Sequence, residues 1–288
     1  MQFIRRLIGV GEKTVPASFS EDADDGREDN PHSRFGWATD VGAARSNNED
    51  SVLVVTAVQE GQHVSPDFEF FVVADGMGGH RAGEVASSIA ARTVTEYVTR
   101  HFYLPNLTAS EHGTDEQPLN EILIQAVRSA NQMVLEHVPG AGTTLTCALL
   151  IGRKAYIAHV GDSRAYILQN GMSELITQDH SLVDRLVELG QLTRDEAGEH
   201  PQKNVLYRAI GQSGVLEVDT AIRSIPNGAR LLICTDGLWG MISDADIAQI
   251  VTDYRVPQIA CDRLVLAANR AGGRDNITAV IAVPRSFN

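Results

Sequence analysis

The sequence predicts an α+β protein built from two packed, mainly antiparallel β-sheets flanked by helices. Three observations carry this. Short runs rich in Val and aromatic residues, bounded by turn residues, come in groups. Two long stretches of helical period separate the first group from the second. Strands and helices do not alternate one by one, as a parallel βαβ sheet requires.

In chain order, FGWAT (35–39), SVLVVTAV (51–58) and FEFFVVA (68–74) read as strands. The period then changes. In RAGEVASSIAARTVTEYVTRHF, Val85, Ile89, Val94 and Val98 recur at helical spacing. Leu119, Ile122, Leu123, Ala126, Val127, Ala130 and Val134 do so in the next helix, across an acidic, Pro-containing loop expected at 103–118. TTLTCALLI (143–151), KAYIAHVG (154–161), RAYILQ (164–169) and SELIT (173–177) form the second group of strands, punctuated by Gly152, Gly161 and Asn170–Gly171. Ser181 opens a short helix that Gly190 stops, and Thr193 with Glu196 forms a capping box for another. ARLLICT (229–235) is a strand, 244–253 and 257–271 are helical, and NITAVIAV (276–283) closes the chain as a strand.

Composition narrows the function. The 288 residues carry a formal net charge of −13. That argues against nucleic-acid partners, whose phosphates are held by excess Lys and Arg, and suits a protein that gathers carboxylates around cations. The three cysteines, Cys147, Cys234 and Cys261, have no close pairing and sit in apolar runs, so they read as small buried residues. No stretch approaches the roughly 20 apolar residues of a membrane span. The start, MQFIRRLIGVGEK, has no apolar core of secretory length, and Gln at position 2 excludes myristoylation, so a cytoplasmic location is expected. Residues 1–33, acidic and poor in large hydrophobes after the basic-apolar FIRRLIG patch, are expected to be a flexible tail.

The chemistry sits at strand ends. FFVVAD (Asp75), AHVGD (Asp162) and LLICTD (Asp236) each finish an apolar run with an aspartate followed by small or flexible residues, and RAGGRD (Asp275) precedes the closing strand. One such aspartate is readily a turn former. Four at strand ends that can converge repel one another unless a cation neutralises them. Oxygen-only ligation favours Mg²⁺ or Mn²⁺ over zinc. Gly76, Gly78 and Gly79 after Asp75, and Gly237 after Asp236, let backbone approach closely. Arg45, beside Glu49 and Asp50, has the planar fork suited to a phosphate.

These residues belong to an ordered set: TD-x-G-x-x-R-x-x-NED (39–50), VADGMGGH (73–80), GTT (142–144), HVGDSRAY (159–166), DHSLV (179–183), RAIG (208–211), TDGL (235–238) and RDNITAVI (274–281). Together they resemble the bacterial branch of the metal-dependent protein phosphatases, the type 2C serine/threonine phosphatases, over residues 34 to 284. The resemblance implies a four-layer α/β/β/α sandwich for a catalytic domain at 34–288. It also implies roles. Asp75 would bridge two metals, Gly76 would offer its carbonyl, and Asp236 and Asp275 would complete the protein ligands. Asp162, with Asp236, would hold a third metal, so two or three Mn²⁺ or Mg²⁺ ions are expected. Glu49 and Asp50 would act through metal-bound waters, and Arg45 would bind the substrate phosphate. Residues 179–211 match the family's mobile flap.

Many eukaryotic members have histidine after the Asp-Gly of the second motif, where this chain has Met77. His80 is the candidate replacement as general acid. The implied activity is hydrolysis of phosphoserine and phosphothreonine by a metal-activated water, with phosphorylated proteins, a Ser/Thr kinase and its substrates as partners, in a monomer without stable membrane insertion. An aspartyl-phosphate mechanism needs D-x-D, and Asp75 is followed by Gly-Met. A cysteine phosphatase needs a Cys opening a phosphate loop. The rival of another class is an inactive phosphatase-like scaffold, but such modules typically lose metal ligands, and here the aspartates named by the family are present.

Overall fold

The computed structural model describes residues 34–57, 68–78, 81–108 and 117–284. The tail expected at 1–33 lies outside them. In chain order the strands are β1 (Phe35–Asp40), β2 (Asp50–Ala57), β3 (Phe68–Met77), β4 (Gly142–Thr143), β5 (Leu145–Ile151), β6 (Lys154–Val160), β7 (Arg164–Gln169), β8 (Met172–Leu175), β9 (Asp219–Ser224), β10 (Arg230–Cys234) and β11 (Ile277–Ala282). The helices are α1 (Arg81–Val98), α2 (Leu104–Thr108), α3 (Leu119–His137), α4 (Leu182–Glu188), α5 (Arg194–Glu199), α6 (Asp236–Trp239), α7 (Asp244–Asp253) and α8 (Pro257–Arg270).

Two antiparallel sheets form, in the orders β1-β11-β10-β7-β8 and β2-β3-β5-β6-β9, with β4 pairing β3. Alternation along each strand makes the layers, because successive side chains leave opposite faces. On β3, Phe68, Phe70, Val72 and Ala74 join the core shared with α1 and α3, whereas Phe71 and Val73 join the core between the sheets. On β10, Leu231 and Ile233 face the other sheet, and Leu232 and Cys234 pack with α7 and α8. Three buried clusters therefore mark the three interfaces of a four-layer α/β/β/α sandwich. A fully buried side chain such as Phe70 contributes roughly 1.5–3 kcal/mol by leaving water.

Local chemistry explains the boundaries. Asn170 (φ 52°) and Gly171 (φ 74°) make the tight β7–β8 turn. Ser181 accepts the Asp184 N–H at the start of α4, and the Thr193–Glu196 capping box opens α5. All three cysteines are buried.

Four readings change. Val85 is 44% exposed; the packed face of α1 is Ala86, Ala90, Ala91, Val94 and Val98, small residues that bring the helix close to sheet and neighbour. The loop expected from 103 is helical to Thr108: a π turn, Thr99–Tyr103, with the Leu104 N–H on Thr99 O, shifts the register where Pro105 lacks a donor. Strand β9 was not foreseen because most of it is exposed and charged residues interrupt its alternation. Helix α6 is a single turn, too short to show a period.

Candidate metal centre and active site

Antiparallel pairing of β2 and β3 sets Asp50 directly opposite Asp75, so the two side chains share one face. The β1-β11-β10-β7-β8 sheet brings up Asp236, just past the end of β10, and Asp275, just before β11. Asp162 follows β6 and Gly161. Asp75 senses the charges of Asp50, Asp236, Asp162 and Asp275, so the structure brings these five carboxylates together.

Hydroxyls from the first sheet fix Asp50, which belongs to the second. Thr235 and Thr278 both donate to its Oδ2, at 2.9 and 2.6 Å. Among the described residues, its Oδ1 is buried without a partner, as is Asp236 Oδ1. The backbone of Asp75 is fully fastened: its N–H donates to Thr144 Oγ1 (2.9 Å), and its carbonyl accepts the Thr144 N–H and the Thr143 hydroxyl, each at 2.8 Å. Backbone held, side chain among the other carboxylates: Asp75 is preorganised.

The glycines matter through close approach. A Cβ on Gly76 would meet the carbonyls of Gly83 and Glu49, and one on Gly237 would meet the Asn276 carbonyl. Gly78 has φ +137°, a conformation that side chains rarely adopt. Glu49 is positioned by its N–H on Asn276 Oδ1 (2.8 Å), and its carboxylate lies against Gly83 at the start of α1. Arg45, half exposed, rests its guanidinium on Asp275 at 2.6 Å. His80 lies outside the described residues.

Burial, then mutual repulsion, lifts Asp50, Asp75, Asp162 and Asp236. Asp50 rises to about 7 despite its two hydroxyl donors, and Asp236 to about 6. Asp75 and Asp162 rise well above the usual carboxylate range. Negative charge forced together and orphan oxygens aimed inward fit a divalent cation. Among the described residues, no group of three or more His, Cys, Asp or Glu is arranged to hold an ion by itself. Oxygen-only donors of this kind suit Mg²⁺ or Mn²⁺ better than zinc.

Some supporting residues appear in the motifs quoted above without a role. Asn276 ties three segments together, through Glu49 N and the carbonyls of Val41 and Asn47. Thr278, a polar residue inside an apolar strand, carried a usable signal, because a buried hydroxyl needs a partner. Trp239, whose indole N–H donates to the Asp162 carbonyl at 3.0 Å, carried none.

Residues 44–267 match the family model described as Protein phosphatase 2C. The chain belongs to the protein phosphatase 2C family. The phosphatase is 38% identical to a serine/threonine phosphatase, Stp, of Listeria innocua over 251 residues, 87% of this chain and 94% of that one. Its fold resembles the crystal structure of the Mycobacterium tuberculosis phosphatase PstP, with TM-score 0.71, 34% identity, and 88% and 99% of the two chains covered. It also resembles a catalytic domain of PstP solved with two manganese ions, with TM-score 0.70, 31% identity, and 88% and 98% covered. Among the described residues of the phosphatase, no helix is long and apolar enough to cross a membrane.

Proposed function

We propose that this chain hydrolyses phosphoserine and phosphothreonine on other proteins at the carboxylate cleft, and that it opposes a Ser/Thr kinase in the cytoplasm. The observation that carries the site is the pair of buried, partnerless oxygens on Asp50 and Asp236 amid mutually repelling acids. Asp75, the Gly76 carbonyl, Asp236 and Asp275 would hold two Mn²⁺ or Mg²⁺ ions, Asp162 with Asp236 a third, and Glu49 and Asp50 would act through water. When bound, the ions supply Lewis acidity and lower the pKa of water.

The chain's own residues do the rest. Arg45 is exposed enough to turn its fork from Asp275 to two phosphate oxygens, which orients phosphorus toward the cluster. The Thr235 and Thr278 hydroxyls hold Asp50 still, and Thr144 holds Asp75. Water adds to phosphorus and releases a proton to solvent, the P–O bond to Ser or Thr breaks, and the departing oxygen takes a proton, with His80 proposed as its donor. Residues 179–211 would form a flap beside the cleft.

Release of phosphate from p-nitrophenyl phosphate and a phosphothreonine peptide, with Mn²⁺, Mg²⁺ or EDTA, tests this. Turnover should need metal and fall to background in Asp236→Ala. Turnover that survives EDTA, or normal rates in Asp236→Ala, would refute the site. A folded chain inactive with every metal would favour the scaffold reading.

A further inference from the structure

Asp236 and Trp239 are the first and last residues of α6. One helical turn thus carries a carboxylate at one end and, at the other, the indole N–H that holds the Asp162 carbonyl. Asp162 itself is buried, at 7% exposure.

The indole is fixed in turn. The Arg164 guanidinium lies 3.6 Å from the ring centroid. Arg164 is held by Asp179 through three contacts of 2.7–3.1 Å and donates to Tyr166 Oη at 3.2 Å; Tyr166 donates to Asp244. On the other side of the turn, Gly161 donates its N–H to His180 Nδ1 (3.0 Å) and accepts the His180 N–H (2.8 Å). Gly161 has φ +113°, and Thr144 fills the space a Cβ would need. The Gly161–Asp162 turn therefore has two supports, and Trp239 is the one built on the same element as Asp236.

We infer that Trp239 is a positioning residue for cation binding: its indole N–H sets the placement of Asp162 relative to Asp236, and so the affinity for an ion shared by the two. The inference rests on the reading above that Asp162 and Asp236 share a cation. The N–H acts through the Asp162 backbone and touches neither substrate nor ion. Partners of this kind, one step behind a ligand, typically change metal affinity about 10–100-fold when removed.

The test is Mn²⁺ binding to the full, EDTA-stripped chain by isothermal titration calorimetry, without substrate. Trp239→Phe removes the N–H and keeps a ring for Arg164. Asp162→Asn reports which phase belongs to Asp162, and Trp37→Phe makes the same exchange at the other tryptophan. The expected result is a weaker phase that is lost in Asp162→Asn and moved about tenfold or more to higher Mn²⁺ in Trp239→Phe, with the tighter phase in place. Trp37→Phe should bind as the parent does. Melting in EDTA should be alike for Trp239→Phe and the parent, which a purely structural role would not allow.

A second readout needs no change at Trp239. On Mg²⁺ titration, the Trp239 indole N–H resonance should shift with the weaker phase while the Trp37 resonance stays. If Asp162→Asn loses a phase, a Trp239→Phe isotherm that overlays the parent, or a Trp239 resonance indifferent to Mg²⁺, overturns the role of Trp239 and leaves the metal site standing. If Asp162→Asn binds as the parent does, Asp162 is not a ligand, and both that assignment and the inference fall.

Discussion

At the carboxylate cleft, Asp50 and Asp236 keep buried oxygens without partners among the described residues. At the base of the 179–211 segment, the titratable groups are matched instead. Arg164 grips Asp179 in a bidentate pair, with side chains 17% and 3% exposed. His159 is held between Thr146 and Gln178 O, and His180 between Gly161 N and Asp219, with Arg208 on Asp219 and Glu217. Because His180 Nδ1 accepts the Gly161 N–H, its proton sits on Nε2, facing Asp219. Both regions bury charge beside the same strand, β6. The matched one ties the ends of the segment together: Leu182 N–H reaches Val205 O and Tyr207 N–H reaches His180 O, at 2.7 and 2.9 Å. The unmatched one stores repulsion that a ligand can relieve. Buried polar groups with full partners are scaffolding, and those without are where to look for a site.

Neutralising one member on each side should move stability in opposite directions. Asp179→Asn breaks a buried ion pair and should destabilise the metal-free protein by about 3–5 kcal/mol. Asp236→Asn removes an uncompensated charge and should raise the metal-free melting temperature while activity is lost. Urea and thermal melts in EDTA decide this. Equal losses in both variants would mean that the cleft is as well satisfied as the segment base.

Proton linkage sharpens the contrast. Burial first, then neighbouring charges, raise Asp50, Asp75, Asp162 and Asp236, with Asp50 at about 7. From about pH 4, the ordinary carboxylate value, to about 7, the folded state then binds more protons than the unfolded one. Their contribution to metal-free stability falls as pH rises through that window. His159 runs the other way. Burial, then His180, lowers it to about 3, so stability falls as pH drops from about 6.5 toward 3. Urea midpoints from pH 4 to 8 in EDTA should show the two slopes partly cancelling. Asp50→Asn should expose the histidine slope and His159→Gln the carboxylate slope. An unchanged profile in either variant would remove that group from the account.

The smallest effect is expected at the mouth. The Arg45–Asp275 pair is partly exposed, so Arg45→Lys should shift stability by less than about 1 kcal/mol. It should raise KM for a phosphothreonine peptide about tenfold, the scale of one lost hydrogen bond to a charged group. A shift in melting without a change in KM would make Arg45 a structural partner of Asp275.

Much of this architecture was legible because periods report burial. The periodic apolar positions of α3 from Ile122 to Val134 are buried, and Asp75 lies near the end of β3 while Asp162, Asp236 and Asp275 lie within two residues of the ends of β6, β10 and β11. Where the period failed, it failed physically. On α1 the packed face is built from alanines, whose weak hydrophobic signal made Val85 a better-looking and wrong choice. On β9, an edge strand open to solvent, alternation had little reason to be kept.

By itself, then, the sequence determined the four-layer class, the strand ends that bear carboxylates, the caps of α4 and α5 and the membership of a metal-dependent family. These follow from side-chain period, turn chemistry and motif order, all local or linear properties. Tertiary structure alone decided which polar groups meet. Register set Asp50 against Asp75, packing of the two sheets brought Thr235 and Thr278 onto Asp50, and α6 carried Trp239 to an Asp162 carbonyl 77 residues away. The reason is that a hydrogen bond depends on the position of both partners to within a fraction of an ångström. A pattern of hydrophobicity reports only which face is dry.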